Sequence, residues 1–340
     1  MIEILCAQKG IPGRESDAHA AILGFAPGLA HEVTPLGDLL VTVRAAGPGQ
    51  KTVMLEAHAD RIGLVVCGYE EGGFVRVAKA GGLDPGCLMG SEILIEGRDG
   101  RALPALVGAP FPYPAKPHNS APASEYKMPE HSALWVDTGL ENPIEHIALG
   151  APAYARARIC RLAGSRVAAP CLDDRAGCAA LLLAAERLRD EPLGVGVKLL
   201  FSSREEIGSH GARTGAFAAA ADFAISVDVG FAISPDVTKD DASVLGDGPE
   251  IGVSACLDAA LTDHILETAR RANIPHQTLV LPSRGTGTDA DAIAVSGLGV
   301  KTGLVSIPLR FMHQPAEVVD LADVEASAAL LAAAVKELKP

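Results

Sequence analysis

The stretch Val195-Gly196-Val197-Lys198-Leu199-Leu200-Phe201-Ser202-Ser203-Arg204-Glu205-Glu206-Ile207-Gly208 decides how this chain is read. Its apolar first half, closed by a turn, predicts a buried strand, and two adjacent carboxylates stand where that strand stops. Side chains alternate between faces along a strand. Where the chain turns at a C-terminal strand end, both can address one crevice, which is where open α/β sheets bind ligands. An isolated Glu-Glu pair is ordinarily a solvated acidic turn, so its meaning depends on what the other strand ends carry.

Several of them carry chemistry. Thr52-Val53-Met54-Leu55 reads as a strand that runs into Glu56-Ala57-His58-Ala59-Asp60-Arg61-Ile62-Gly63. In His-x-Asp the imidazole and the carboxylate lie two residues apart on one face, so Asp60 can hold the tautomer that leaves a His58 nitrogen open to a metal. Taken alone, a strand-end histidine is more often a hydrogen-bonded structural residue. Phe223-Ala224-Ile225-Ser226-Val227-Asp228 is another strand with an acid at its end. Cys171-Leu172-Asp173-Asp174-Arg175-Ala176-Gly177 precedes a helix over 178–188 whose all-round hydrophobicity implies burial. An aspartate at a helix start is normally an N-cap. Asp174 suits that role, and it leaves Asp173 to bridge two cations. A strand over 300–307 leads into Pro308-Leu309-Arg310-Phe311-Met312-His313-Gln314-Pro315, which supplies a second histidine.

Around these sites the chain alternates strands and helices. A helix broken by Gly10-Ile11-Pro12-Gly13, a second over 17–23 and an extended segment over 39–43 come first; helices over 215–221, 259–272 and 321–338 and a strand over 277–281 follow. Gly285-Thr286-Gly287-Thr288-Asp289-Ala290-Asp291-Ala292 opens a further helix, but its spacing fits neither Gly-x-Gly-x-x-Gly nor a Walker loop. Over 63–157 the texture changes to short alternating segments between Gly-rich turns. The expected fold is α/β, a mostly parallel sheet flanked by helices and formed by 1–62 and 158–340, with a small β-rich domain inserted at 63–157. Residues 107–131 hold Pro110, Pro112, Pro114, Pro117, Pro122 and Pro129 and read as a loop or arm. His118 and His131 lie there without partners at fixed spacing and are expected to face solvent.

Composition narrows the function. A formal charge of −13 over 340 residues, with no basic stripe, argues against a nucleic-acid surface. No apolar run approaches the roughly 20 residues that cross a bilayer, and the N-terminus does not read as a signal peptide. Seven scattered cysteines without a Cys-x-x-Cys pair suggest neither a disulfide framework nor a cysteine zinc site, and fit a reducing cytoplasm. Trp135 is the one tryptophan and lies in the insertion, so nothing points to an aromatic sugar cleft.

His58, Asp173, Glu206, Asp228 and His313 together make two imidazoles and three carboxylates, with Glu205 beside them and not needed for coordination. That is the inventory of a two-metal catalytic site. If Asp173 bridges, each cation has a histidine, the shared aspartate and one further carboxylate, leaving a position for water. Zinc, cobalt and manganese all suit such donors.

These residues resemble the tetrahedral aminopeptidases, family forty-two of the metallopeptidases. The likeness rests on His58-Ala59-Asp60-Arg61-Ile62-Gly63, Leu172-Asp173-Asp174-Arg175-Ala176-Gly177, Arg204-Glu205-Glu206-Ile207-Gly208-Ser209-His210-Gly211-Ala212, Val227-Asp228, Gly287-Thr288-Asp289-Ala290 and Pro308-Leu309-Arg310-Phe311-Met312-His313. It implies a phosphorylase/hydrolase-like sheet, two divalent ions per subunit and hydrolysis of the N-terminal peptide bond. It also implies that His58 and Asp228 bind one ion, Glu206 and His313 the other, that Asp173 bridges, that Glu205 is the general base and that Asp60 orients His58. The partners implied are peptides with a free N-terminus, and further copies of the chain that dimerise through the insertion and pair into a hollow dodecamer. Arg61 departs from the family's usual acid, His210 from a common arginine, and Thr34-Pro35-Leu36-Gly37-Asp38 from an Asp-x-Leu-Gly-Asn pattern. A two-metal deacylase acting on N-acyl amino acids is the rival enzyme, and an assembly protein without activity is the rival outside catalysis.

Overall fold

The computed structural model describes residues 1–108, 134–235, 237, 242–281 and 285–338. The proline-rich stretch with His118 and His131 lies outside the described residues. In chain order the elements are α1 (Ile2–Cys6), α2 (Ser16–Phe25), β1 (Ala30–Val33), β2 (Leu39–Arg44), β3 (Thr52–His58), β4 (Gly63–Tyr69), β5 (Phe74–Ala80), α3 (Pro85–Leu88), β6 (Glu92–Glu96), β7 (Ala102–Gly108), β8 (Trp135–Asp137), α4 (Pro143–His146) and β9 (Pro152–Ala155). They continue with β10 (Cys160–Arg161), β11 (Arg166–Ala169), α5 (Leu172–Leu188), β12 (Gly196–Ser202), α6 (His210–Ala219), β13 (Phe223–Phe231), β14 (Glu250–Val253), α7 (Ala259–Arg271), β15 (Gln277–Val280), α8 (Asp289–Ala294), β16 (Lys301–Arg310), β17 (Glu317–Asp320) and α9 (Leu321–Glu337).

These elements form two compact units: Met1–Arg61 with Arg158–Met312 and Ala316–Pro340, and Ile62–Ala157 with His313–Pro315. The first is built on one sheet in the order β1-β2-β12-β3-β13-β16-β17-β11-β10, with β14 beside β16 and β15 beside β14. Its centre, β12-β3-β13-β16, is parallel, and its flanking pairs are antiparallel apart from β14 with β15. Central strands covered on both faces read as near-continuous apolar runs, which is why Gly196–Ser202 was legible. Alternation then sorts the faces. Val53, Leu55 and Leu199 point into a core shared with α1, α2, α5, α7 and α9, whereas Met54 and Leu200 meet α6 and α8 on the other side. Alanines such as Ala180 and Ala184 of α5 and Ala328 and Ala332 of α9 fill much of the first layer. The short strands β11, β14 and β17, four residues each, carry too little periodicity to be read from sequence.

Gly211, in the first turn of α6, is fixed by proximity. A Cβ there would strike the carboxylate of Asp38 and the backbone of Ser203, the residue that follows β12. Gly211→Ala therefore pushes α6 off the strand end, and a cost of about 1–3 kcal/mol is expected from overpacking, read as a lower urea midpoint with an unchanged slope.

In α2, His19 is buried, and its Nε2 has no hydrogen-bond partner among the described residues. Burial, helped by the Arg175 charge, lowers its pKa to about 4. The unfolded chain binds this proton near the ordinary 6.5, so below that pH the unfolded state holds more protons and stability falls as pH drops towards 4. At ~1.4 kcal/mol per pH unit, about 2 kcal/mol disappears between pH 6.5 and 5. His19→Gln should lose correspondingly less than wild type between urea melts at pH 7 and pH 5; equal losses would show that His19 is not the cause.

The second unit is a closed antiparallel barrel, β4-β5-β8-β7-β6-β9. Strict alternation in β5 turns Val75 and Val77 inward, where they join Leu64, Val66, Ile93, Ile95, Val107 and Val136. The expected small β-rich insertion is thus a barrel with its own core.

Candidate active site

Register brings the strand-end motifs level. β3 and β12 run parallel with His58 opposite Ser202, and β13 runs parallel to β3 with Ser226 opposite Glu56, so Asp228 stands level with His58. Past Ser202, Arg204 adopts a left-handed conformation (φ 59°, ψ 34°) and starts a 3-10 turn, Glu205–Ile207. Asp60, fully buried, fastens that turn: its Oδ1 accepts the Glu205 N–H at 3.0 Å and its Oδ2 the Glu206 N–H at 3.2 Å. This contact is what lets both glutamates leave the strand axis together.

His58 is held from one side. Its Nδ1 lies 3.2 Å from the Asp60 carbonyl oxygen and 3.6 Å from the Asp60 carboxylate. With the proton on Nδ1, donated to that carbonyl, Nε2 offers its lone pair. Nε2 faces Asp173 Oδ1 at 2.9 Å and Asp228 Oδ1 at 3.9 Å. Asp60 thus meets His58 chiefly through its main chain, while its side chain serves Glu205 and Glu206.

Asp173 and Asp174 divide their labour. Both have non-helical dihedrals, the peptide between them is cis, and the regular helix starts only after them. Asp174 Oδ1 accepts the Gly177 N–H at 2.9 Å and caps that helix, while Asp173 turns to His58 and its own N–H donates to Glu317 Oε2 at 3.1 Å. Ligand atoms of His58, Asp173 and Glu206 all lie within 4.8 Å of one another. Neighbouring ligands of one tetrahedral ion are roughly 3.3 Å apart, given bonds of 2.0–2.1 Å, so the spacing suits a cation.

The electrostatics agree with that reading. Burial, reinforced by Asp173 and other neighbouring acids, pushes the Glu206 and Asp228 carboxyls up, with His58 opposing. For His58, burial alone would lower the pKa, but the carboxylates of Asp173 and Asp60 outweigh it and raise it. Glu205 is raised to about 7, first by burial and then by Asp289, Asp173 and Asp60 against the pull of His58. One imidazole cannot balance so many buried acids, whereas divalent cations can. His313 is placed differently: it belongs with the barrel unit, where a Cβ on Gly82 would come 2.6 Å from its Nδ1.

Supporting residues emerge that sequence reading passed over. Ser202 Oγ, fully buried, contacts Glu56 Oε1 at 2.7 Å and Asp289 Oδ2 at 2.6 Å, and Ser226 Oγ contacts Glu56 Oε2 at 2.5 Å. Burial, and then the Asp289 charge, push the Glu56 carboxyl well up. Its signal was a charged residue inside an apolar strand. Glu317, 1% exposed and bonded to the Asp173 backbone, had no comparable local mark.

The chain matches the M42 glutamyl aminopeptidase family over residues 37–330. It is 31% identical over 320 residues to the lysyl aminopeptidase of Pyrococcus furiosus, covering 91% of this chain and 87% of that enzyme. An aminopeptidase from the archaeon Desulfurococcus kamchatkensis has the same fold, with a TM-score of 0.89 at 30% identity over 100% of this chain and 94% of the other. The TET1 peptidase of Pyrococcus horikoshii, which can assemble into a tetrahedron or a large octahedral shell, gives 0.84 at 28% identity over 99% and 98%. Because the family match runs through every strand-end motif and these relatives cover the chain almost from end to end, the protein belongs to the M42 glutamyl aminopeptidase family and is a metallopeptidase of the aminopeptidase type.

Proposed function

We propose that the chain removes N-terminal residues from peptides with two divalent cations, zinc or cobalt foremost and manganese as a further option, and with Glu205 as general base. One observation carries the reading: Glu205 stands beside the close set of His58, Asp173 and Glu206, with its own carboxyl poised at about 7. His58 and Asp228 would hold one ion, Glu206 and His313 the other, and Asp173 both. Cations at these residues supply Lewis acidity and draw the pKa of water towards about 7.

The chain's own groups do the rest. Glu205 accepts the proton of the attacking water and returns it to the departing amine. Asp60 holds the glutamate turn and, through its carbonyl, the His58 ring. The barrel unit is the dimerisation module, dimers combine into a dodecamer, and the enzyme works in the cytoplasm. No helix among the described residues is long and apolar enough to cross a membrane.

The test is a panel of aminoacyl-anilides with N-acetylated controls, using protein stripped of metal and reloaded with zinc, cobalt or manganese. Cleavage restricted to free amines and restored by metal is expected, and the panel also ranks lysyl against glutamyl substrates. Cleavage of the acetylated set alone would replace this reading with the deacylase.

A further inference from the structure

We propose that Cys6 and Cys171 are an oxidisable thiol pair whose disulfide displaces the loop carrying Asp173. Cys6 ends α1, and Cys171 is the residue before α5, two positions ahead of Asp173. Although 165 residues apart, the two lie side by side: the Cys6 sulfur is 3.9 Å from the Cys171 carbonyl oxygen, and the Cys171 sulfur is 3.6 Å from that of Cys6. Each thiol thus points at the other residue's main chain. Cys6 and Cys171 are 0% and 2% exposed. Arg175, fully buried, reaches from α5 to the Leu5 carbonyl at 3.4 Å and keeps the end of α1 against that helix.

The elements on both sides can respond. Helix α1 has only five residues. Cys171 has φ 56°, and Asp173 and Asp174 have non-helical dihedrals, so the 171–174 segment is irregular although the Cys171 carbonyl accepts the Arg175 N–H at 3.3 Å. The chemistry needs a two-electron oxidant such as hydrogen peroxide. One thiolate attacks the peroxide O–O bond, giving a sulfenic acid and expelling hydroxide, which takes up the thiol proton as water. The second thiol attacks the sulfenic sulfur, and a second water leaves as the S–S bond forms. Two electrons pass from sulfur to peroxide. Drawing Cys171 towards α1 carries Asp173 with it, and misplacements near 1 Å at a reacting centre cost up to about 100-fold.

Cys178 provides an internal control, since it is also buried but donates to the His58 carbonyl at 3.3 Å. The experiment uses full-length, metal-loaded enzyme in which Cys67, Cys87, Cys160 and Cys256 are replaced by serine. After peroxide, the protein is desalted, assayed for bound metal and anilide hydrolysis, then denatured, alkylated and mapped. A Cys6–Cys171 linked peptide, an alkylated Cys178, and at least a ten-fold fall in kcat or loss of bound metal are expected, all reversed by dithiothreitol and absent from a Cys6→Ser version. Recovery of Cys6 and Cys171 as alkylated thiols would overturn the proposal, as would the link with metal and kcat both unchanged. The activity arm rests on the aminopeptidase reading. An enzyme silent before oxidation would count against that reading, while linkage and metal retention would still decide the thiol pair.

Discussion

Glu205→Gln lowers kcat on an aminoacyl-anilide by about 10²–10⁴-fold, the span of general acid–base catalysis, while bound metal, fold and KM stay near wild type. The amide has the shape of the carboxylate but cannot take a proton from water. The turn itself should survive, because Asp60 holds it through the Glu205 and Glu206 backbone N–H groups, which the substitution leaves in place. Glu205 is suited to the task by position: burial first, then Asp289, Asp173 and Asp60, lift its carboxyl to about 7, near working pH. A base near neutrality combines the correct charge state with a useful proton affinity. Metal content by elemental analysis and steady-state kinetics on the same preparation decide the matter. If the variant keeps kcat within a factor of ten at equal metal loading, another group is the base.

Asp173→Ala removes bound metal, and activity falls by at least about 10³-fold, equivalent to some 4 kcal/mol of transition-state stabilisation. Asp173 is the nearest carboxylate to His58 Nε2, at 2.9 Å, and shares the close cluster with Glu206. Without it, the Asp228 Oδ1 stands 3.9 Å from His58 Nε2, and the remaining buried acids repel one another with less cation to offset them. Because those acids raise each other's pKa values, the metal-free variant should also shed some of that repulsion, so its thermal midpoint need not fall with its activity. Retention of wild-type metal after dialysis would rule out Asp173 as a shared ligand. Wild-type enzyme stripped by chelation should lose activity to the same floor and, unlike the variant, recover when metal is returned.

How much of this was legible beforehand follows from where each signal resides. The strand ends of β3, β12 and β13 announced themselves through local chemistry: a short apolar run, then a turn, then His58, the Glu205-Glu206 pair or Asp228. Within the Asp173-Asp174 pair the cap could even be picked out, because capping obeys short-range geometry, and Asp174 does accept the Gly177 N–H. The insertion was visible as a change from long apolar runs to period-two alternation, which the β5 pattern repeats in the barrel wall.

Other features have no local signature. The Asp173 backbone is held by Glu317 from 144 residues away, Cys6 meets Cys171 across 165, and Ser202 couples Glu56 to Asp289 across 146 and 87. His313 sits two residues beyond Phe311, in a left-handed conformation (φ 61°), and its grouping with the barrel rather than with β16 could not be read from its motif. By itself the sequence determined the elements, their faces and the chemical types at their ends, because periodicity and turn preference act over a few residues. Only the tertiary structure decided which buried polar groups meet, because each must find a partner once packing removes water, and packing joins segments without regard to their separation along the chain.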